Sequence, residues 1–297
     1  MNYASSVLGY LSEAAHSPQV LLVSGAPPVA RKGDDLDIVF NSILTPQDIR
    51  ETLGTFTSHV SVSGGVSIGS QGVFSFGISN MGRFRVHYFT QRGSMVVAVW
   101  KVPAVVPDLE SLIEDAAVPP NLQAMFTRGV GGIGLIFGAV PSLNALFAYS
   151  LLSRINRTAA RIIYIVEQDL SYLLRHNRSV VLQSEVDADL KSIEDGIANG
   201  AFFALDIMYV REPKSKPDFL GLIAAAGSGI LVLLSLVAPN EHALKLELTS
   251  CMGESYGSFC GFLREVVEVR PAKPGRMSVR FVEPQQMIEG GPGTPSA

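Results

Sequence analysis

Cysteine is almost missing from this chain. Only Cys251 and Cys260 occur, nine positions apart, with no His, Cys or acid cluster around them at zinc-ligand spacing. That argues against a disulfide framework and a structural zinc site, and leaves reduced thiols of a cytoplasmic protein as the expectation. The five histidines (His16, His59, His87, His176 and His242) are scattered, and no H-E-x-x-H occurs, so neither metal catalysis nor a bound metal is expected. No G-x-S-x-G and no Ser-His-Asp set suggests acyl transfer. Charge is sparse: 17% of residues are charged and the formal net charge is -4, so nothing draws the chain as a whole to nucleic acid, and no nucleic-acid partner is expected. Arg154, Arg157 and Arg161 follow helical or loop spacing and read as a solvated face. Residues 1–23 lack a basic start followed by an apolar run, so a secretory signal is not expected.

What the chain has in quantity is apolar residues, 47% of the total, enough for a sizeable core. The longest uncharged run, Gly221–Ala238, is close to the ~20 residues of a membrane span. Its internal Gly-Ser-Gly at 227–229 and its β-branched second half favour a small-residue helix, a turn and a buried strand stopped by Pro239. Residues 2–15 read as an amphipathic helix, 20–25 as a strand, and 34–40 as a turn and short strand. Thr45-Pro46-Gln47-Asp48 is a helix start with an N-cap, Pro at the first position and an acid in the first turn. Alternating segments at 59–63, 72–78, 82–91 and 94–102 read as antiparallel strands. After Pro103–Pro107 the pattern changes. Helices at 109–127, 142–156, 185–197 and in the first part of 218–237 alternate with apolar strands at 129–137, 161–166, 201–210 and in the last part of 218–237. That alternation predicts an α/β domain with a mostly parallel sheet. The Gly/Pro-rich tail 288–297 is expected to be disordered.

Phe74-Ser75-Phe76, then Gly82-Arg83-Phe84-Arg85-Val86, then Gln91-Arg92-Gly93 resembles the N-terminal domain of PilT-type pilus retraction ATPases, which carries D-F-S-F, A-R-F-R-V-N and Q-R-G in that order. Residues 24–36 are similar to the family's G-x-P-P-x-x-R-x-x-G pattern, with Arg31 matching. The resemblance implies an α/β protein with an N-terminal α+β (PAS-like) domain at 1-103, a linker at 104-108, a RecA-like P-loop NTPase core with a mostly parallel sheet at 109-287, and the tail at 288-297. It also implies a phosphate loop, G-x-x-x-x-G-K-[ST], between a buried strand and a helix, where backbone N–H groups and a helix N-terminus hold the anion. The corresponding stretch here is Gly138-Ala139-Val140-Pro141-Ser142-Leu143-Asn144-Ala145. Gly138 is its only glycine, and Leu143 stands where backbone must approach phosphate. Pro141 removes a donor, Asn144 replaces the lysine, and Ala145 lacks the magnesium-binding hydroxyl. The lost lysine alone removes a charge-assisted contact of about 1.5–3 kcal/mol.

The family's other motifs are altered in step. The I-E-D-P-x-E box corresponds to Glu167-Gln168-Asp169-Leu170, with either Glu167 or Asp169 as the vestige. The Walker B segment corresponds to Asp206–Lys214, with Glu212 at the catalytic acid and Arg211 at a glycine position. The His box becomes Leu234–Ala238, with Val237 in place of the histidine, and Gly275-Arg276 resembles the family's G-G-R strand. Arg83, Arg85 and Arg92 match positions where family arginines reach toward nucleotide, and are candidate anion contacts or solvent-facing strand residues. The expectation is a noncatalytic paralogue of the type IV pilus and type II secretion motors, with no catalytic residue intact and ATP/Mg binding weak or absent. Such a chain would form a homo- or hetero-oligomer, including with an active motor paralogue, in the cytoplasm at an inner-membrane pilus or secretion platform. The alternatives are a weakly active or nucleotide-sensing ATPase of the same family, and an unrelated α/β binding module.

Overall fold

The computed structural model describes residues 1–14, 18–32, 35–60, 68–114, 122, 131–273 and 275–288. The chain divides into two compact units, Met1–Ala104 and Val105–Ala297.

The first unit is a six-stranded antiparallel sheet covered on one face by two helices, α1 (Ala4–Glu13) and α2 (Pro46–Ser58). Its strands are β1 (Gln19–Leu22), β2 (Val29–Lys32), β3 (Asp35–Ile38), β4 (Gln71–Ile78), β5 (Gly82–Gln91) and β6 (Ser94–Val102), in the order β3-β2-β1-β6-β5-β4. Strict alternation drives this sheet. Phe74, Phe76, Phe84, Val86, Tyr88, Val97 and Val99 point to the helices and join Leu8, Leu11, Ile49, Leu53 and Phe56 in one core. The β5–β6 connection needs two residues with positive φ, supplied by Arg92 (49°) and Gly93 (76°). Thr45 caps α2 in a reciprocal box with Asp48, as its sequence predicts. The helix runs to Ser58, so His59, read from sequence as a strand start, is instead its C-cap. Residues 61–63 of that expected strand lie outside the described residues. The first strand ends at Leu22, and Val29–Lys32, hidden behind Pro27-Pro28, forms an additional strand.

The second unit holds a seven-stranded sheet. In chain order its elements begin with α3 (Leu109–Leu112), β7 (Gly132–Gly138), α4 (Pro141–Thr158), β8 (Ile162–Glu167) and β9 (Val180–Glu185). Next come α5 (Ile193–Gly200), β10 (Ile207–Arg211), α6 (Lys216–Gly227), β11 (Leu231–Val237), α7 (Glu241–Met252) and α8 (Tyr256–Phe262). The last are β12 (Leu263–Pro271), β13 (Met277–Val282) and α9 (Pro284–Ile288). The sheet order is β13-β12-β7-β11-β10-β8-β9, and every neighbouring pair but β12–β13 is parallel. Ile133, Leu135, Phe137, Val232 and Leu234 build one core with Phe219, Leu222, Leu244, Leu248 and Phe259. The alternate residues, Tyr209 and Ser235 among them, face Tyr149 on α4. The run 221–238 is divided between α6 and β11, and among the described residues no helix is long and apolar enough to cross a membrane.

Three sequence expectations are corrected here. The helix expected at 185–197 begins only at Ile193, and Glu185 instead ends strand β9, which no sequence expectation covered at 180–184. The strand expected at 201–210 starts at Ile207, and Ala201–Ala204 form an exposed turn. Of the helix expected at 109–127, Leu109–Leu112 is helical, while 115–121 and 123–127 lie outside the described residues, as do 289–297 of the tail.

Candidate functional site

Parallel strands present their carboxyl ends to one edge of the sheet, where α/β proteins gather ligand-binding loops. At that edge β7 ends at Gly138 and α4 begins at Pro141, so only Ala139 and Val140 connect them. The helix starts earlier than the sequence suggests, because Pro141 is preorganised for a first helical position. Leu143, Asn144 and Ala145 are already in helical turns. The N–H groups of Leu143 and Asn144 both donate to the Val140 carbonyl, at 3.0 and 3.1 Å.

Asn144 turns inward and is 2% exposed. Its Nδ2 donates to the carbonyls of Gly138 (3.0 Å) and Leu236 (2.9 Å), tying the helix start to the ends of β7 and β11. Gly138 is glycine for a packing reason. A Cβ there would lie 2.2 Å from the Val269 carbonyl and 2.6 Å from Asn144 Oδ1. Ser142 is exposed, Ala145 is buried, and Val237 closes β11 opposite Gly138.

The acidic positions separate into inward and outward groups. Glu167, the last residue of β8, is fully buried. It accepts hydrogen bonds from Tyr149 Oη (2.9 Å), Ser171 N (2.6 Å) and Ser171 Oγ (3.1 Å). Burial pushes its carboxyl up to about 7, against the opposing pull of the Ser171 amide, the Arg211 charge and the Tyr149 hydroxyl. Burial likewise pushes the Tyr149 and Tyr209 phenols up, and Tyr209 shares a hydrogen bond with Ser235 Oγ (2.9 Å). Arg211 at the end of β10 donates to Ser171 Oγ (3.2 Å) and pairs with Glu212 (3.2 Å). Glu212 sits at φ +50°, its N–H held by the Ser235 carbonyl. Asp206 lies at the opposite, amino edge, where its carboxylate accepts from Ile162 N (2.8 Å).

Outside this internal network, a cavity of about 600 Å³ opens at the carboxyl ends of β8–β10, lined by Asp169, Asp187, Lys191, Arg211, Glu212 and Lys214. The structure thus places Glu212 and Asp169 on one cavity and Glu167 beneath it. Arg83, Arg85 and Arg92 belong to the first unit and do not converge. Arg83 and Arg92 stand at opposite ends of β5, roughly 30 Å apart along the strand. Arg85 is fully buried, with Nε 3.4 Å from His87 Nε2, and Arg92 is exposed at the hairpin tip. Among the described residues no group of three or more His, Cys, Asp or Glu side chains is placed to hold a metal ion. Sequence reasoning missed Tyr149, Ser171, Tyr209 and Ser235. A signal existed for Tyr149, which lies one helical turn beyond Ala145 on the same face of α4; Ser171, set by a loop, gave none.

No family model matches the chain. It is 27% identical over 230 residues to the type IV pilus ATPase PilU of Pseudomonas aeruginosa, covering 75% of this chain and 57% of that protein. It is 24% identical over 164 residues to a twitching motility protein of Neisseria gonorrhoeae, covering 55% of this chain and 42% of that one. The chain therefore spans about half the length of these curated relatives. Among solved structures, the pilus retraction motor PilT with bound ADP superposes with a TM-score of 0.78 at 22% identity, covering 97% of this chain and 86% of that one. The Legionella pneumophila ATPase DotB follows at 0.72 and 17% identity, covering 97% and 82%. These likenesses confirm an N-terminal domain followed by a RecA-like core and set aside the reading as an unrelated α/β module. In sequence the chain is similar to type IV pilus motor ATPases, and in fold to PilT and the ATPase DotB.

Proposed function

We propose that this chain is a noncatalytic member of its family, a structural or regulatory subunit of a type IV pilus or secretion machine that holds Mg-ATP weakly or not at all. One observation carries the reading: the Asn144 amide occupies the turn where a lysine and a ring of free N–H groups would receive phosphate. The residues present do not fit a nucleotide triphosphate. Two N–H groups of the loop are spent on Val140, Pro141 has none, and Ala145 offers no hydroxyl to magnesium. Glu167 and Glu212, the vestigial acids, are engaged by Tyr149, Ser171 and Arg211.

In this role the chain assembles with copies of itself or with an active motor paralogue, in the cytoplasm beside the inner-membrane platform of the machine. The names of PilU and PilT supply only the pilus context, as a type IV pilus ATPase and a pilus retraction motor. Isothermal titration with Mg-ATP tests it. The expected result is no saturable binding tighter than about 100 μM, roughly -5.5 kcal/mol. Tight binding would instead favour nucleotide sensing. Co-elution with an intact motor paralogue tests the assembly.

A further inference from the structure

The amino edge of the second unit's sheet, opposite the nucleotide-type edge, carries a patch that the motor reading leaves unused. Ala201-Phe202-Phe203-Ala204 is an uncharged turn whose four residues are all exposed, Phe202 at 86% and Phe203 at 51%. The turn is fixed in place. Asp206, just after it, pairs with the start of β8 through Asp206 N to the Ile162 carbonyl (3.0 Å) and Ile162 N to Asp206 Oδ2 (2.8 Å). A groove of about 590 Å³ runs from Phe202 and Phe203 to His176.

His176 stands in a second, cationic turn, Arg175-His176-Asn177-Arg178, all exposed. Asn156 at the end of α4 clamps that turn. It donates to the Arg175 carbonyl (2.7 Å) and accepts from Asn177 N (3.1 Å) and Ser179 N (3.3 Å). Arg161 adjoins it, since Val180 N donates to the Arg161 carbonyl (2.8 Å). Among the described residues neither Arg175 nor Arg178 makes an ion pair, and the carboxylates nearby are spent on backbone, Asp206 on Ile162 N and Asp189 on Glu185 N. In a chain of net charge -4, this is a rigid basic rim beside a projecting phenyl pair.

We propose that this edge docks on an anionic membrane surface. Phe202 and Phe203 enter the boundary between headgroups and acyl chains, while Arg161, Arg175 and Arg178 contact lipid phosphates. Charge complementarity and shape both favour that occupant. A bilayer offers apolar depth to a convex tip and a sheet of negative charge to the rim around it. A single-stranded nucleic acid also stacks bases on aromatic rings along a basic groove, but it has no apolar interior to take up two projecting phenyl groups, and it is kept as an outcome of the test. The docking does not depend on whether the chain binds nucleotide.

Co-sedimentation of the full chain with phosphatidylserine–phosphatidylcholine vesicles, against vesicles of phosphatidylcholine alone, tests the proposal. The expected result is salt-sensitive binding to the anionic vesicles only. Phe202→Ser/Phe203→Ser and Arg175→Gln/Arg178→Gln should each weaken it about tenfold or more, since one arginine near such a surface is worth about fivefold. Phe89→Ser, at an exposed ring of the other unit, should leave it unchanged. Circular dichroism and melting of each variant confirm the fold, which exposed side chains leave intact. Failure to bind, equal binding to neutral vesicles, or binding indifferent to both pairs overturns the proposal. So does binding to single-stranded RNA or polyglutamate through the same residues without binding to vesicles.

Discussion

Asn144 holds two buried carbonyls with one amide, and the consequence can be measured. Removing the amide in Asn144→Ala leaves the Gly138 and Leu236 carbonyls without these donors in a site closed to water. The Gly138 carbonyl keeps the Ala238 N–H at 3.2 Å, so the cost there is a lost hydrogen bond, about 1 kcal/mol each for such bonds. The expected loss is about 2 kcal/mol in urea denaturation of the second unit. Glu167 makes the opposite kind of prediction. Burial disfavours the carboxylate and pushes this group up to about 7 from an ordinary 4.5. The native state therefore holds this proton more tightly than the unfolded chain. The associated stability is full below about pH 4.5, declines as pH rises, and is gone above about pH 7. The span corresponds to roughly 3 kcal/mol. Glu167→Gln keeps acceptor and shape for Tyr149 and Ser171 without a charge to bury. It should flatten stability between pH 4.5 and 7 and leave the variant more stable than the parent at pH 8. Equal slopes for parent and variant would show that Glu167 does not titrate there.

At the scale of elements, the start of α4 decides what the loop can become. Because Pro141 opens the helix, restoring the family's polar residues inside it does not rebuild a cradle. Asn144→Lys/Ala145→Ser should show no gain in Mg-ATP binding by titration, whereas replacing residues 138–145 with a glycine-rich phosphate loop should. A gain from the two substitutions alone would place the defect in side chains and not in the backbone path. This boundary was half legible from sequence. A strand, a turn and a helix at the family's loop position could be read from Phe137, Pro141 and the apolar spacing that follows, but the inward turn of Asn144 depends on β11, ninety-two residues away in sequence. Strands β5 and β6 matched their expected limits of 82–91 and 94–102, because alternation and a tight turn are both local. Strand β9 had no counterpart in the sequence reading, since Val180–Glu185 is an edge strand whose outward N–H groups at Val181 and Glu185 are satisfied by His176 and Asp189 side chains. That masking blunts edge pairing and also breaks the alternating pattern by which strands are recognised. The run Ala201–Leu205 misled for a different reason. Apolar composition marks a strand only where neighbours bury it, and here four of the five residues face outward.

At the scale of the whole molecule, two units with separate cores give two places where a ligand could act, and thermal unfolding tells them apart. A chain of this kind need not melt in one step. Any Mg-ATP held at the carboxyl edge would stabilise only the unit that carries β7 and α4. At a hundredfold excess over its dissociation constant a ligand adds about 2.7 kcal/mol, which moves the melting point of a unit this size by several degrees. With the turn filled by Asn144, Glu167 satisfied from within, and Arg83 and Arg92 held at opposite ends of one strand, no such gain is expected. Calorimetry of the full chain with and without millimolar Mg-ATP should give superimposable transitions for both units. A shift of several degrees confined to the transition of the second unit would locate tight binding at the carboxyl edge and favour nucleotide sensing. A shift confined to the first unit would point to the strand arginines instead. Mixing with an active motor paralogue should raise the transition of whichever unit forms the contact, without nucleotide, because association stabilises the folded surface it buries.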